Sequence, residues 1–209
     1  MRHGPRFLDR LLGTGRIRFH GHAVNPLLVD HFARLNLTPG ARVFLPLCGK
    51  SVDIGWLRAR GFRVAGAELS PLAVEQLFDQ MGEAPEITLH GPLRRFRARD
   101  LDIFEGDIFD LTPDRLGPVA AVHDRAALIA LPAAMRARYA AHLVALTGAA
   151  PQLLSSYTAP GEPDDGPPFP VDEAEIRSLC RASHRVTLAW EGLDEPSGET
   201  DQVWLLGRP

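Results

Sequence analysis

Three stretches of this sequence carry residue types suited to acting on a small ligand: Pro46-Leu47-Cys48-Gly49-Lys50-Ser51, Glu68 with Leu69, and Asp124-Arg125. Each closes a dense apolar run. Gly49 lets a backbone turn approach a ligand closely, and the helix that begins after it offers unpaired N–H groups. Glu68 ends the next apolar run, about 20 residues on, where an acid accepts the two hydroxyls of a ribose. A charge between Ala65-Gly66-Ala67 and Leu69 needs such a reason, since the alternative is a surface carboxylate. Asp124 and Arg125 end a third run, where an arginine holds an anion or lowers a thiol pKa. Asp124 beside it orients the arginine, accepts a proton or forms a structural ion pair.

Two look-alikes fail. Gly49-Lys50-Ser51 resembles the end of a phosphate-binding loop, but the glycine required five positions earlier is Phe44. The G-x-G-x-x-G fingerprint of hydride-transfer enzymes is absent after the first apolar run. Cys48 reads as a small buried residue in a tight turn rather than a nucleophile. His20, His22 and His31 lack the companions of a ligand set, so no metal is expected.

The elements that position these residues follow from periodicity. Arg42–Leu47 and Phe62–Leu69 read as strands buried on both faces. Ser70-Pro71 caps a helix over Leu72 to Met81, Asn25-Pro26 opens another through Leu35, and a third runs through Ile54, Trp56 and Leu57 to Gly61. Leu93–Ala98 and Asp102–Glu105 suit short strands of an inserted hairpin, and Val119–Asp124 another buried strand. An alanine-rich helix spans about Pro132 to Leu146, and Gln152–Tyr157 forms the next strand. Residues 159–170 form a proline-rich loop, and Asp172 caps a helix to Arg181. Strands near Val186–Trp190 and Gln202–Leu206 close the chain as an edge hairpin. The fold class expected is α/β, a doubly wound, mostly parallel seven-stranded sheet with an antiparallel edge hairpin.

Bulk properties agree with one such domain over residues 1–209. The 209 residues are 45% hydrophobic and 23% charged, with a net charge of −3. No nucleic-acid-binding surface is indicated, and Arg94, Arg95, Arg97 and Arg99 read as a solvated face. Two cysteines fit a reducing compartment, and no apolar run approaches a membrane span, so a cytoplasmic protein without membrane or nucleic-acid partners is expected.

The ordered set of motifs resembles the thiopurine S-methyltransferase family, in its bacterial form. The resemblance is carried by Phe44–Ser51 with Asp53, Trp56, Leu57, Gly61 and Val64, then by Gly66–Ser70, Gly106–Leu111, His123–Leu128, Ser156-Tyr157 and Gly166–Val171. Val24-Asn25-Pro26 after Phe19-His20 adds to it. The resemblance implies S-adenosyl-L-methionine as cofactor, left as S-adenosyl-L-homocysteine, and a monomer acting on a small-molecule thiol or a chalcogen substrate. It implies Leu12, Leu47, Gly49, Glu68, Leu69, Asp107, Ile108 and Arg125 around the cofactor, with Asp107 and Ile108 flanking the adenine. Phe19, His20 and Arg125 would meet the substrate, and Arg125 with Asp124 would be catalytic. Residues 1–24 would form a lid, in which Leu8 and Leu12 replace two family tryptophans and remove aromatic stacking on the ligands. The acceptor therefore stays open among an aromatic or heterocyclic thiol, an anion of sulfur, selenium or tellurium, and a natural-product thiol. A nicotinamide-dependent oxidoreductase and a non-catalytic nucleotide-binding module are the readings from other classes.

Overall fold

The computed structural model describes residues 23–160, 166–195 and 197–208. Its architecture is set by a strand buried on both faces. In β1 (Arg42–Leu45), Val43 and Leu45 point to one side and Phe44 to the other, and all three are buried. The remaining strands are β2 (Arg63–Glu68), β3 (Glu86–His90), β4 (Leu93–Ala98), β5 (Leu101–Glu105), β6 (Ala121–Asp124), β7 (Gln152–Thr158), β8 (Arg185–Asp194) and β9 (Glu199–Gly207). The helices are α1 (Pro26–His31, continued by a 3-10 turn over Phe32–Leu35), α2 (Asp53–Ala59), α3 (Pro71–Met81), α4 (Pro113–Leu116), α5 (Ala127–Ala130), α6 (Ala133–Thr147) and α7 (Glu173–Cys180).

The described strands form one sheet in the order β3-β4-β5-β2-β1-β6-β7-β9-β8. The centre, β5-β2-β1-β6-β7, is parallel, and β9 and β8 close one side as an antiparallel hairpin. All eight strands read from the sequence are present, one more than the seven-stranded sheet expected, and Glu86–His90 (β3) adds a ninth that pairs with Leu93–Ala98 (β4) as a hairpin at the other edge. Asp102–Glu105, expected as half of that hairpin, belongs instead to the third parallel strand β5, and its partner role falls to Glu86–His90. That strand is hard to foresee because Ile87 and Leu89, at the outer edge, are exposed rather than buried.

Local chemistry explains the helix starts. Ser70 Oγ accepts from the Ala73 N–H and Pro71 opens α3, while the Asn25 side chain accepts from the Leu27 N–H at the start of α1. Asp172 likewise caps α7 through the Glu175 N–H. Val74, Leu77 and Phe78 of α3 pack with Ile54 and Leu57 of α2 on one face of the sheet. Tyr139, Leu143 and Leu146 of α6 cover the other with Trp204 and Phe104. Of the arginine run, Arg97 and Arg99 are exposed as expected, whereas Arg94 pairs with Glu105 and Arg95 with Asp102 at 2.6 Å. Both carboxylates lie on the neighbouring strand β5.

Gly66 of β2 is a packing necessity. A Cβ there would stand 2.7 Å from Cys48 Sγ and 2.7 Å from Ile103 Cδ1, both buried. Gly66→Ala is expected to cost about 1–3 kcal/mol through overpacking, read as a lower urea midpoint with an unchanged slope.

Candidate active site

Strand order reverses between β1 and its two neighbours, β2 and β6, so a crevice opens beyond their carboxyl ends, the position at which open α/β sheets hold ligands. The turn after β1 is shaped for close approach: Leu47 has φ 47° and Gly49 φ 53°. The Glu68 carboxylate, only 7% exposed, joins this turn to the next. Oε2 accepts from the Gly49 N–H and Oε1 from the Ser70 N–H, each at 2.8 Å. The Glu68 carbonyl also accepts from the Gly106 N–H at 2.8 Å, which draws in the turn after β5. Leu47 and Leu69 flank this junction half-buried. Cys48 lies behind it. Burial, with the nearby Glu68 carboxylate, pushes its thiol well above the usual range, so it is a poor nucleophile.

The turn after β5 holds the expected adenine pair. Asp107 is exposed, and its carboxylate accepts from the Phe109 N–H at 3.0 Å, capping a short 3-10 turn. Ile108 is buried, and His142 Nε2 of α6 meets its carbonyl at 2.8 Å.

The pair Asp124-Arg125 divides at the end of β6. Asp124, 1% exposed, accepts from the Ala127 and Leu128 N–H groups at the start of α5 and from the Tyr139 hydroxyl at 2.6 Å. Burial holds its carboxyl above the usual range, against the opposing pull of these donors. Burial and Asp124 together push the Tyr139 phenol well above its own range, so the hydroxyl stays a donor. Asp124 is thus spent on α5 and α6, and of the roles left open by the sequence, the orienting of Arg125 has no contact behind it among the described residues. Neighbouring strand residues point to opposite faces, and Asp124 is committed to α5 and α6. Arg125 Nη1 instead lies 3.5 Å from Asp53 Oδ2 in the first turn of α2. Asp53, 1% exposed, also accepts from the Asn25 N–H at 2.9 Å and faces His123 Nε2 at 3.4 Å. Burial pushes the Asp53 carboxyl up, but His123, the Asn25 N–H and Arg125 outweigh it and hold the group below the usual carboxylate range.

Arg125, one-fifth exposed, opens into a cavity of about 370 Å³. Leu27, Ile129, Tyr157 and Pro168 give it an apolar side, and Ser155, Ser156, Asp194, Glu199 and Asp201 a polar one. The described part of the proline-rich loop is tied down here. The Tyr157 hydroxyl donates to the Pro168 carbonyl, and the Phe169 and Val171 N–H groups donate to the Ile129 and Tyr157 carbonyls. Leu8, Leu12, Phe19 and His20 lie outside the described residues.

Comparison with known proteins agrees with this arrangement. The profile of the family described as thiopurine S-methyltransferase matches residues 5–201. The chain belongs to the thiopurine S-methyltransferase family. A thiopurine S-methyltransferase of Xanthobacter autotrophicus is 55% identical over 211 residues, spanning 98% of this chain and 99% of that one. In fold, the chain resembles the 1,6-didemethyltoxoflavin-N1-methyltransferase of Burkholderia thailandensis, solved with 1,6-didemethyltoxoflavin and S-adenosylhomocysteine. That likeness has a TM-score of 0.65 at 17% identity and covers 97% of this chain and 85% of that one. A methyltransferase of Anabaena variabilis that depends on S-adenosylmethionine gives 0.66 at 13% identity, covering 97% and 91%. This member of the thiopurine S-methyltransferase family is thus an S-methyltransferase with S-adenosylmethionine as its cofactor.

The cradle fits that cofactor. Gly49, at positive φ in the first turn, lets a ligand approach the backbone, and the buried Glu68 carboxylate stands beside it at the end of the next strand. Among the described residues, no helix is long and apolar enough to cross a membrane. Sequence reasoning does not single out Asp53, Tyr139 or His142 as groups that hold this family's site together. In the sequence Asp53 is only one of the residues that carry the family resemblance, without a role, and the fold is what brings it to Arg125.

The assignment of Asp124 as a capping group is open to a direct check. Tyr139→Phe strips one donor from a buried carboxylate and should lower stability by about 1–3 kcal/mol in urea titration. Unchanged stability would show that the Tyr139–Asp124 bond does not brace the end of β6.

Proposed function

We propose that this enzyme transfers the methyl group of S-adenosylmethionine to the sulfur of a small organic thiol of the heterocyclic or aromatic type. The observation that carries this reading is the Arg125 guanidinium, held by buried Asp53, opening into a cavity of about 370 Å³ with an apolar side. That volume suits a ring-sized acceptor, whereas an inorganic anion of a few atoms would leave most of it filled with water. The Xanthobacter autotrophicus relative carries thiopurines in its name, which supports the same acceptor class.

When bound, the cofactor supplies an electrophilic methyl carbon on a sulfonium. Residues of the chain do the rest. Glu68 accepts the ribose hydroxyls, a carboxylate having about four acceptor sites in all. Asp107 and Ile108 flank the adenine, while Leu47, Gly49 and Leu69 line the remainder. Arg125 faces the acceptor, where its positive charge favours the thiolate over the thiol and raises the nucleophilic fraction near neutral pH. A dedicated base is then unnecessary, consistent with the commitment of Asp124 to α5 and α6. Tyr157, Pro168, Ile129 and Leu27 exclude water and align the ring.

A methyl-transfer assay against heterocyclic thiols, aliphatic thiols, selenite and tellurite tests the acceptor class. Turnover confined to the chalcogen anions would overturn it. Glu68→Ala is expected to weaken S-adenosylhomocysteine binding by about 1–3 kcal/mol in calorimetry, the scale of a lost hydrogen bond to a charged group. Arg125→Ala should leave that affinity nearly intact and reduce kcat/KM for the thiol. The opposite pattern would move Arg125 to the cofactor.

A further inference from the structure

We propose that Asp53 is the positioning residue of this methyltransferase, the group that sets the Arg125 guanidinium toward the acceptor. The inference rests on Arg125 facing the acceptor, as argued above. An aspartate in the first turn of a helix ordinarily needs no partner beyond the positive end of that helix. Asp53 has others. Its own N–H donates to Ser51 Oγ at 3.2 Å, and its carboxylate reaches away from α2. Oδ1 takes the Asn25 N–H, and Oδ2 stands 3.4 Å from His123 Nε2 and 3.5 Å from Arg125 Nη1. One buried charge thereby joins three elements: the start of α1, the first turn of α2 and the end of β6.

Arg125 is anchored through this charge. Among the described residues its only ion pair is with Asp53, because Asp124 beside it is committed to Ala127, Leu128 and Tyr139. His123 narrows the geometry further. An ionised carboxylate only accepts, so Nε2 carries the ring proton toward Asp53, and buried Nδ1 has no hydrogen-bond partner among the described residues. The imidazole and the guanidinium thus both meet Oδ2, while the Asn25 N–H holds Oδ1, so the carboxylate is fixed at both oxygens. Asp53 is nearly inaccessible while Arg125 is one-fifth exposed, so the inner member of the pair is fixed and the outer one is presented to the cavity. The arrangement supports a catalytic group from behind, and displacements of about an ångström in such groups cost on the order of 100-fold in rate.

The test is a double-mutant cycle in the full-length enzyme with mercaptopurine as acceptor. Asp53→Asn keeps the shape and removes the charge. It should lower kcat by roughly 10- to 100-fold, the scale of a misplaced catalytic group. Affinity for S-adenosylhomocysteine should change by less than about 3-fold, since Glu68 and its turns are untouched. The double variant Asp53→Asn/Arg125→Ala should be no slower than Arg125→Ala alone, because Asp53 acts through Arg125. Additive losses with cofactor affinity intact would overturn the proposal. If Asp53→Asn does not fold, Asp53→Glu keeps the charge on a longer arm and carries the same cycle. Nitrogen NMR of the Arg125 guanidinium, assigned by its disappearance in Arg125→Ala, gives a readout independent of turnover. A sharp, slowly exchanging signal in the parent that broadens in the Asp53 variants supports positioning; an unchanged signal refutes it. Failure of the parent to methylate mercaptopurine, or full activity of Arg125→Ala, would instead sink the reading of acceptor and arginine, leaving the NMR comparison to decide the role of Asp53.

Discussion

The structure turns on Glu68, a carboxylate placed where a sheet would otherwise end in apolar side chains. Its side chain binds the turns after β1 and β2, and its carbonyl binds the turn after β5. Three loops that diverge in sequence are thereby drawn to one point. Burying a charge is tolerable only with such hydrogen bonding. Gly66 completes the constraint from below, since any side chain there would push Cys48 and the first turn outward.

Around that junction the chain separates two sets of contacts by strand alternation. Residues pointing to one face of β6 pack toward α2, and those pointing to the other pack toward α6. His123 meets Asp53 of α2, and Asp124 meets Tyr139 of α6. Two buried carboxylates thus respond to their surroundings in opposite directions. Asp53 is held low by a histidine, a backbone N–H and an arginine, while Asp124 is held high by burial. The sign follows from what reaches each group, and it separates the electrostatic partner of Arg125 from the capping residue next to it in sequence.

Much of this organisation is legible in the amino-acid sequence, for physical reasons. Runs buried on both faces, such as Arg42–Leu47, announce a central parallel strand, and Ser70-Pro71 and Asn25-Pro26 announce helix starts because caps are local chemistry. Glu68 stands out as a charge closing an apolar run. What sequence reasoning misses is non-local. The partners of Asp53 lie 28 residues back at Asn25 and 70 residues on at His123, and nothing in the spacing signals either. Adjacency of Asp124 and Arg125 misleads because neighbours along a strand diverge in space. Strand β3 escapes notice because its apolar residues are exposed.

Helix α6 does more than cover the sheet; it is also a mechanical part. Tyr139 reaches the end of β6, next to Arg125, and His142, one turn later on the same face, reaches the Ile108 carbonyl beyond β5. The two anchor points are separated by about 4.5 Å along a rigid axis. A single helix thereby carries contacts to two strand ends that stand three strands apart in the sheet, β6 and β5, and couples both turns to one rigid body.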